Sequence, residues 1–389
     1  MRMHVRPSAR AAALASAVLV AGCGSAAPAA RGPAAWAPPG GAPFLATSLV
    51  TSAGTWAVAV MGGSVASHDN FWQLFERPAG SSGWKLVTPP GTPDNGGLVL
   101  AGAGSSLITG FRPSQGLTYT PLAATADGGQ AWASAGPLDG ALANVPDALA
   151  AAPAGGHLLA LTAAGEAELA APGYSRWTTL ATLKSLAATA AGRRCGLQKL
   201  TAAAFTPAGL PVLAGTCSRP GTAAIFADSG GTWQAAGPAI PAALGSRPIT
   251  VLRLTQTANQ IVALLAAGSG HTASLLAAWS ADNGRHWALS PALALGGAAI
   301  ASASFGTEGT AAVIMNGGRA DMITSSSSQW HALPTLPSGT ATLAPGPGGQ
   351  ADALAVQRAA LTVWQLRPGS TAWAKAQEIS VPIQYGSSS

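Results

Sequence analysis

Three octapeptides decide how this chain folds: Thr125-Ala-Asp-Gly-Gly-Gln-Ala-Trp132, Phe226-Ala-Asp-Ser-Gly-Gly-Thr-Trp233 and Ser280-Ala-Asp-Asn-Gly-Arg-His-Trp287. Each has aspartate at its third place (Asp127, Asp228, Asp282), glycine at its fifth (Gly129, Gly230, Gly284) and tryptophan at its eighth. Each also follows an apolar run. That spacing suits a β-hairpin turn. The carboxylate accepts hydrogen bonds from turn amides, the glycine takes a positive φ, and the tryptophan returns from the next strand to fill the space beneath. All three roles are structural. One carboxylate per loop is also far short of the roughly six to eight oxygens that calcium takes.

Working outward, weaker copies keep the tryptophan and the turn-forming composition but lose the aspartate. They end at Trp84, Trp177, Trp330 and Trp373. The seven tryptophans lie 48, 45, 56, 54, 43 and 43 residues apart in order. Such intervals suit a four-stranded propeller blade. The contents of the intervals agree. In the fourth, the strands are expected at Leu200 to Phe205, Leu210 to Gly215 and Thr222 to Ala227, with an outer strand from Trp233. In the fifth they are expected at Thr250 to Thr257, Gln260 to Ala267 and Ala273 to Ser280, with an outer strand from Trp287. Alanine richness alone suggests helices, but Gly and Pro interrupt the chain too often to sustain helical spacing. The expectation is an all-β, seven-bladed β-propeller of four-stranded antiparallel blades, with six or eight blades as alternatives.

The octapeptides resemble the Asp-box, or BNR repeat, of the sialidase superfamily. In architecture the chain is also similar to the seven-bladed Asp-box propellers that act as photosystem II assembly factors. The resemblance implies the fold over nearly all of the chain beyond its first forty residues. It does not supply an active site. Sialidases carry an arginine triad, a tyrosine paired with glutamate, and an acid/base aspartate. Here Phe111-Arg112-Pro113 and Phe75-Glu76-Arg77-Pro78 lack the isoleucine of the first arginine's motif; the tyrosines are Tyr119, Tyr174 and Tyr385, and neither Tyr174, in a degenerate box turn, nor Tyr385, in the C-terminal tail, has a convincing glutamate partner. No catalytic residue is carried over.

The first residues read as an export signal. Arg2, Arg6 and Arg10 supply positive charge, and Ala11 to Ala21 is uncharged, mostly apolar and too short to span a bilayer. Val20-Ala21-Gly22-Cys23 follows, and resembles the lipobox of bacterial lipoproteins, in which the cysteine is diacylated and becomes the new N-terminus. The alternative is a plain signal peptide that contains a cysteine. Two acyl chains anchor stably where one binds only marginally. Residues 24–41 are almost all Ala, Pro and Gly, a composition that favours an extended tether. The expected division is therefore signal peptide 1–22, tether 23–42 and propeller 43–389, with the protein lipid-anchored at Cys23 on the extracytoplasmic face of the cell membrane.

Charged residues make up only 9% of the chain, and the net charge of +6 includes the three arginines of the signal. There is no Lys/Arg run, so nucleic acid is not an expected partner. With Cys23 lipidated, Cys195 and Cys217 remain. An even pair in an exported domain suggests a disulfide, and two buried thiols are the alternative. His68-Asp69 is the one adjacent His/Asp pair, and His157, His271, His286 and His331 are isolated, so no metal is expected. No phosphate loop, dinucleotide fingerprint or nucleophile elbow occurs, and no cofactor is expected.

In a propeller, the links between blades and the loops between second and third strands share one face, and the Asp-box turns lie on the other. On the expected strands, Arg112, Arg219, Arg319 and Arg358 fall in or beside the first kind of loop, and Arg193, Arg194, Lys199 and Arg247 in blade links. The alternative is that charge collects in any exposed loop. The functional version is a binding face for an anionic cell-wall polymer, a glycan or an acidic protein. The favoured function is a monomeric, membrane-anchored binding or assembly module of open ligand identity. The alternative is a glycoside hydrolase of exo-sialidase type with an unrecognised site, which needs two carboxyl groups about 5–10 Å apart.

Overall fold

Each expected blade interval folds into a short antiparallel sheet. The computed structural model describes residues 44–51, 53–62, 71–89, 98–111, 120–133, 140–142, 146–153, 156–325, 327, 329–357 and 359–381. Cys23, Arg112 and Arg358 lie outside them. The propeller lies within one compact unit, Pro39–Ser389. The inner strands of successive blades are Phe44–Val50, Leu98–Ala103, Pro146–Ala151, Leu197–Phe205, Ile249–Gln256, Ile300–Phe305 and Thr340–Pro345. Each begins a run of four antiparallel strands, giving seven such runs among the described residues. Blades 4 and 5 are joined into one sheet by a single pairing, Thr216 with Thr250. The outer strand begins at or just after the repeat tryptophan in blades 1 and 3 to 7, for example at Trp177, Trp233 and Ala288.

Seven apolar cores form, one between each pair of neighbouring blades. This explains why inner and second strands read as continuous apolar runs: both faces of a blade are buried. Ile261–Ala267 is buried along nearly its whole length. The last core closes the ring. Val58, Val60, Phe75 and Trp84 of blade 1 pack on Leu354, Leu361 and Val363 of blade 7. Among the described residues every strand of these two blades pairs within its own blade, and side chains join the two blades. Arg77 Nη1 donates to Asp352 Oδ2 at 2.5 Å, and Trp84 Nε1 donates to the same oxygen at 3.3 Å. The Arg77 guanidinium lies 5.6 Å from the centre of the Trp84 ring.

The tryptophans do more than fill space under their own hairpins. Trp132 Nε1 donates to Val87 O at 3.1 Å, Trp287 to Ala236 O at 2.7 Å, Trp330 to Pro291 O at 2.9 Å and Trp373 to Pro334 O at 3.3 Å. In every case the acceptor lies just past the outer strand of the preceding blade. The rings are accordingly half-buried at blade edges. Trp233, expected to be largely buried, is only partly so, while Trp84 is 3% exposed.

One insertion departs from the expected all-strand content. The 56-residue interval between Trp177 and Trp233 holds two short helices, α1 (Leu183–Ala187) and α2 (Ala190–Cys195). Thr182 and Ser185 form a capping box on α1, Thr189 caps α2, and Gly196, at φ 64°, ends it.

Candidate functional site

The box turns form as their spacing requires. Asp127 accepts from the amides of Gln130 and Ala131 at 3.0 Å, and Asp282 accepts from His286 N at 2.8 Å. Asp228 accepts from Gly231 N at 2.9 Å. Gly129, Gly230 and Gly284 have φ of 75°, 64° and 89°. At Gly129 a Cβ would also meet the Val87 side chain at 2.4 Å. The first box position adds a hydroxyl that the Asp–Gly–Trp pattern overlooked. Thr125 Oγ1 donates to Asp127 at 2.8 Å and accepts from Gly129 N at 2.9 Å, and Ser280 Oγ does the same for Asp282 and Gly284 at 3.0 and 2.8 Å. Phe226 cannot do this in blade 4. The Ala131 amide, then the Thr125 hydroxyl, hold the Asp127 carboxyl below the ordinary carboxylate value. Asp282 is lowered by the His286 amide first, then the His286 side chain. The aspartates are thus occupied in turns.

The opposite face, made of links and second-to-third strand loops, holds a different set. Arg193 and Arg194 lie in the last turn of α2 rather than in an irregular link. Cys195, the last residue of that helix, is bonded to Cys217 at the end of the second strand of blade 4, with Cα atoms 5.2 Å apart. Beside the bond, Arg219 N donates to Cys195 O at 3.1 Å and Ser218 N to Gly196 O at 2.9 Å. Gly221 N donates to Arg247 O at 3.4 Å. The backbone therefore strings Arg193, Arg194, Arg219 and Arg247 into one ridge across blades 4 and 5. Arg193, Arg194 and Arg219 are exposed. Among the described residues, none of the four forms an ion pair with a carboxylate. Arg247 Nη1 bonds Thr272 O at 2.5 Å, which fixes its head on the same face.

Two members of the expected set sit apart from this ridge. Lys199 is exposed but belongs to the inner strand Leu197–Phe205, not to a link. Arg319, in the loop before the third strand of blade 6, pairs with the buried Asp321 at 2.8 Å, so its charge is partly spent inside the protein.

The inner strands enclose a central cavity of about 290 Å³. Leu49, Leu100, Leu149, Ala203, Leu254 and Phe305 show its apolar character, and Thr201, Thr255 and Ser304 add hydroxyls. One charged side chain lines it among the described residues, Arg253. No carboxylate does, so the paired acids of a glycosidase are not found there. Glu166 and Glu168 lie instead on the third strand of blade 3, where burial, then Glu166, raises the pKa of Glu168. Asp69, Asp94 and Asp139 lie outside the described residues. No group of three His, Cys, Asp or Glu side chains that could hold a metal is found among those described. Arg253 was legible as a basic residue inside an expected inner strand, Thr250 to Thr257, but the expected basic face was defined by loops and links alone.

No family model matches the chain, and no curated protein matches it. Solved structures do. The chain is similar to the acylaminoacyl peptidase of Pyrococcus horikoshii, at 7% identity and a TM-score of 0.50, covering 88% of this chain and 52% of that one. It is also similar to YCF48 from Cyanidioschyzon merolae, at 14% identity and a TM-score of 0.49, covering 81% and 94% of the two chains. A third is the β-propeller domain of the Trilobed protease from Pyrococcus furiosus, at 6% identity and a TM-score of 0.49, covering 89% and 97%. At these identities the likeness is one of fold alone: the chain is a β-propeller.

Proposed function

We propose that this protein is a non-enzymatic binding or assembly module, held to the outer face of the membrane through lipid on Cys23, that engages an anionic partner with its loop face. The observation that carries the reading is the ridge of Arg193, Arg194 and Arg219, gathered by backbone bonds and a disulfide with no carboxylate paired to it among the described residues. Exposed cations cost little to leave in water, so fold stability does not require them. Grouped on one face, they raise the local concentration of an anionic partner and orient it. An anionic cell-wall polymer fits this best, since the expected anchor and tether place the face in the wall.

The test is binding of the full chain to a purified anionic cell-wall fraction. Arg193→Ser with Arg194→Ser is expected to weaken binding several-fold, and the loss to shrink as salt rises, because exposed charges are screened beyond about 8 Å at physiological ionic strength. Arg285→Ser, in a box turn on the opposite face, is expected to change little. Equal losses from both faces, or no binding by the parent chain, contradict the proposal.

A further inference from the structure

A propeller can satisfy an inner-strand position with any small neutral residue, and the comparable positions of blades 4, 6 and 7 do so. The inner strands of blades 4 to 7 each carry a one-residue register shift, between Leu200 and Ala202, Val251 and Arg253, Ile300 and Ser302, and Thr340 and Thr342. Such bulges re-aim the side chains that follow them. The residues just after the shifts are Ala202, Arg253, Ser302 and Thr342. Ser302 and Thr342 satisfy each other across blades at 3.0 Å. Ala202 needs no partner. Arg253 alone is long and charged, and it lines the central cavity.

Nothing among the described residues answers that charge. No carboxylate pairs with Arg253, and it makes no hydrogen bond to a described residue. Its side chain keeps solvent-accessible surface inside the cavity, and desolvation by the strands packed around it lowers its pKa. A guanidinium that lines a cavity without a protein acceptor keeps its N–H donors available to a ligand.

We infer that the central cavity is a binding site for a single oxyanion, a carboxylate or phosphate group, held by the Arg253 guanidinium with the Thr255 and Ser304 hydroxyls beside it. The guanidinium presents a planar fork of donors matched to two oxygens of such a group. A cavity of about 290 Å³ lies at the small end of ligand pockets, which run from about 300 to 1,000 Å³. It therefore suits one anionic group rather than a polymer chain. The site is separate from the arginine ridge, and its test does not depend on that surface binding anything.

The experiment is thermal unfolding of the full chain in sodium acetate, sodium phosphate and sodium chloride at matched ionic strength. Acetate or phosphate is expected to raise Tm saturably above the chloride value, as any ligand of the native state does. A rise with acetate alone assigns a carboxylate, and a rise with phosphate alone assigns a phosphate ester. Arg253→Gln is expected to abolish the rise, and Arg193→Ser with Arg194→Ser to keep it. Arg253→Met is expected to lose the response to anions as well. The inference is overturned by a parent chain that responds to neither anion, or by an Arg253→Gln or Arg253→Met chain that keeps the response.

Discussion

At the scale of single residues, the box aspartates show how a motif can look catalytic and be structural. Asp127 and Asp282 are consumed by turn amides and a neighbouring hydroxyl, and Asp228 accepts from a turn amide. This has a consequence for acid stability. Asp127 has its pKa lowered, chiefly by the Ala131 amide. A group with a lowered folded pKa contributes stability that is complete above its unfolded pKa, about 3.9 for aspartate, and lost as pH falls through the folded value. Asp127→Asn is therefore expected to be less stable than the parent near neutral pH, with the gap closing as the solution is acidified below about pH 4. Urea midpoints measured at both pH values check this, and a gap that does not change with pH contradicts it. Asp127, Gly129 and Trp132 were legible in the sequence because a turn is specified locally. The hydroxyl of Thr125 was less so. Its role appears only when blade 4, with Phe226 in that place, is set beside blades 2 and 5.

At the scale of elements, the tryptophan spacing located the blades because the tryptophan stands at or just before the outer strand in blades 1 and 3 to 7. Spacing along the chain cannot say what that side chain touches across space. Trp287 Nε1 reaches Ala236 O of the preceding blade, which makes the tryptophan a tie between blades. Trp287→Phe keeps most of the ring contact and removes this bond, with an expected loss of about 1 kcal/mol. Trp287→Ala also removes the packing and is expected to lose about 2–3 kcal/mol, below the roughly 3–5 kcal/mol of a fully buried tryptophan. Equilibrium unfolding of the two variants checks the order, and equal losses would mean that the ring contributes only its bond. The helices α1 and α2 went unread for a related reason. Their caps, Thr182 with Ser185, Thr189 and Gly196, are ordinary helix signals. In a chain so rich in alanine, however, helical composition occurs everywhere and distinguishes nothing. The long 56-residue interval was the better clue that something had been inserted.

At the scale of the whole molecule, ring closure and the ridge were the parts least open to the sequence. Arg77 and Asp352 are 275 residues apart, and only the ring brings them together. Burial raises the pKa of Asp352, and the Arg77 guanidinium opposes that shift, so the tie holds a carboxylate where an apolar seam alone would not need one. The ridge depends on topology in the same way. Arg193, Arg219 and Arg247 come from a helix, a loop and a link, and they meet because all three connections end on one face. That meeting is the central claim about function, and hydrogen–deuterium exchange of the full chain with and without the anionic cell-wall fraction tests it most directly. The account predicts new protection at amides 189–196, 218, 219, 221 and 245–247, with the box turns at Asp127, Asp228 and Asp282 unchanged. Protection centred on the box turns, or none on the loop face, would contradict it.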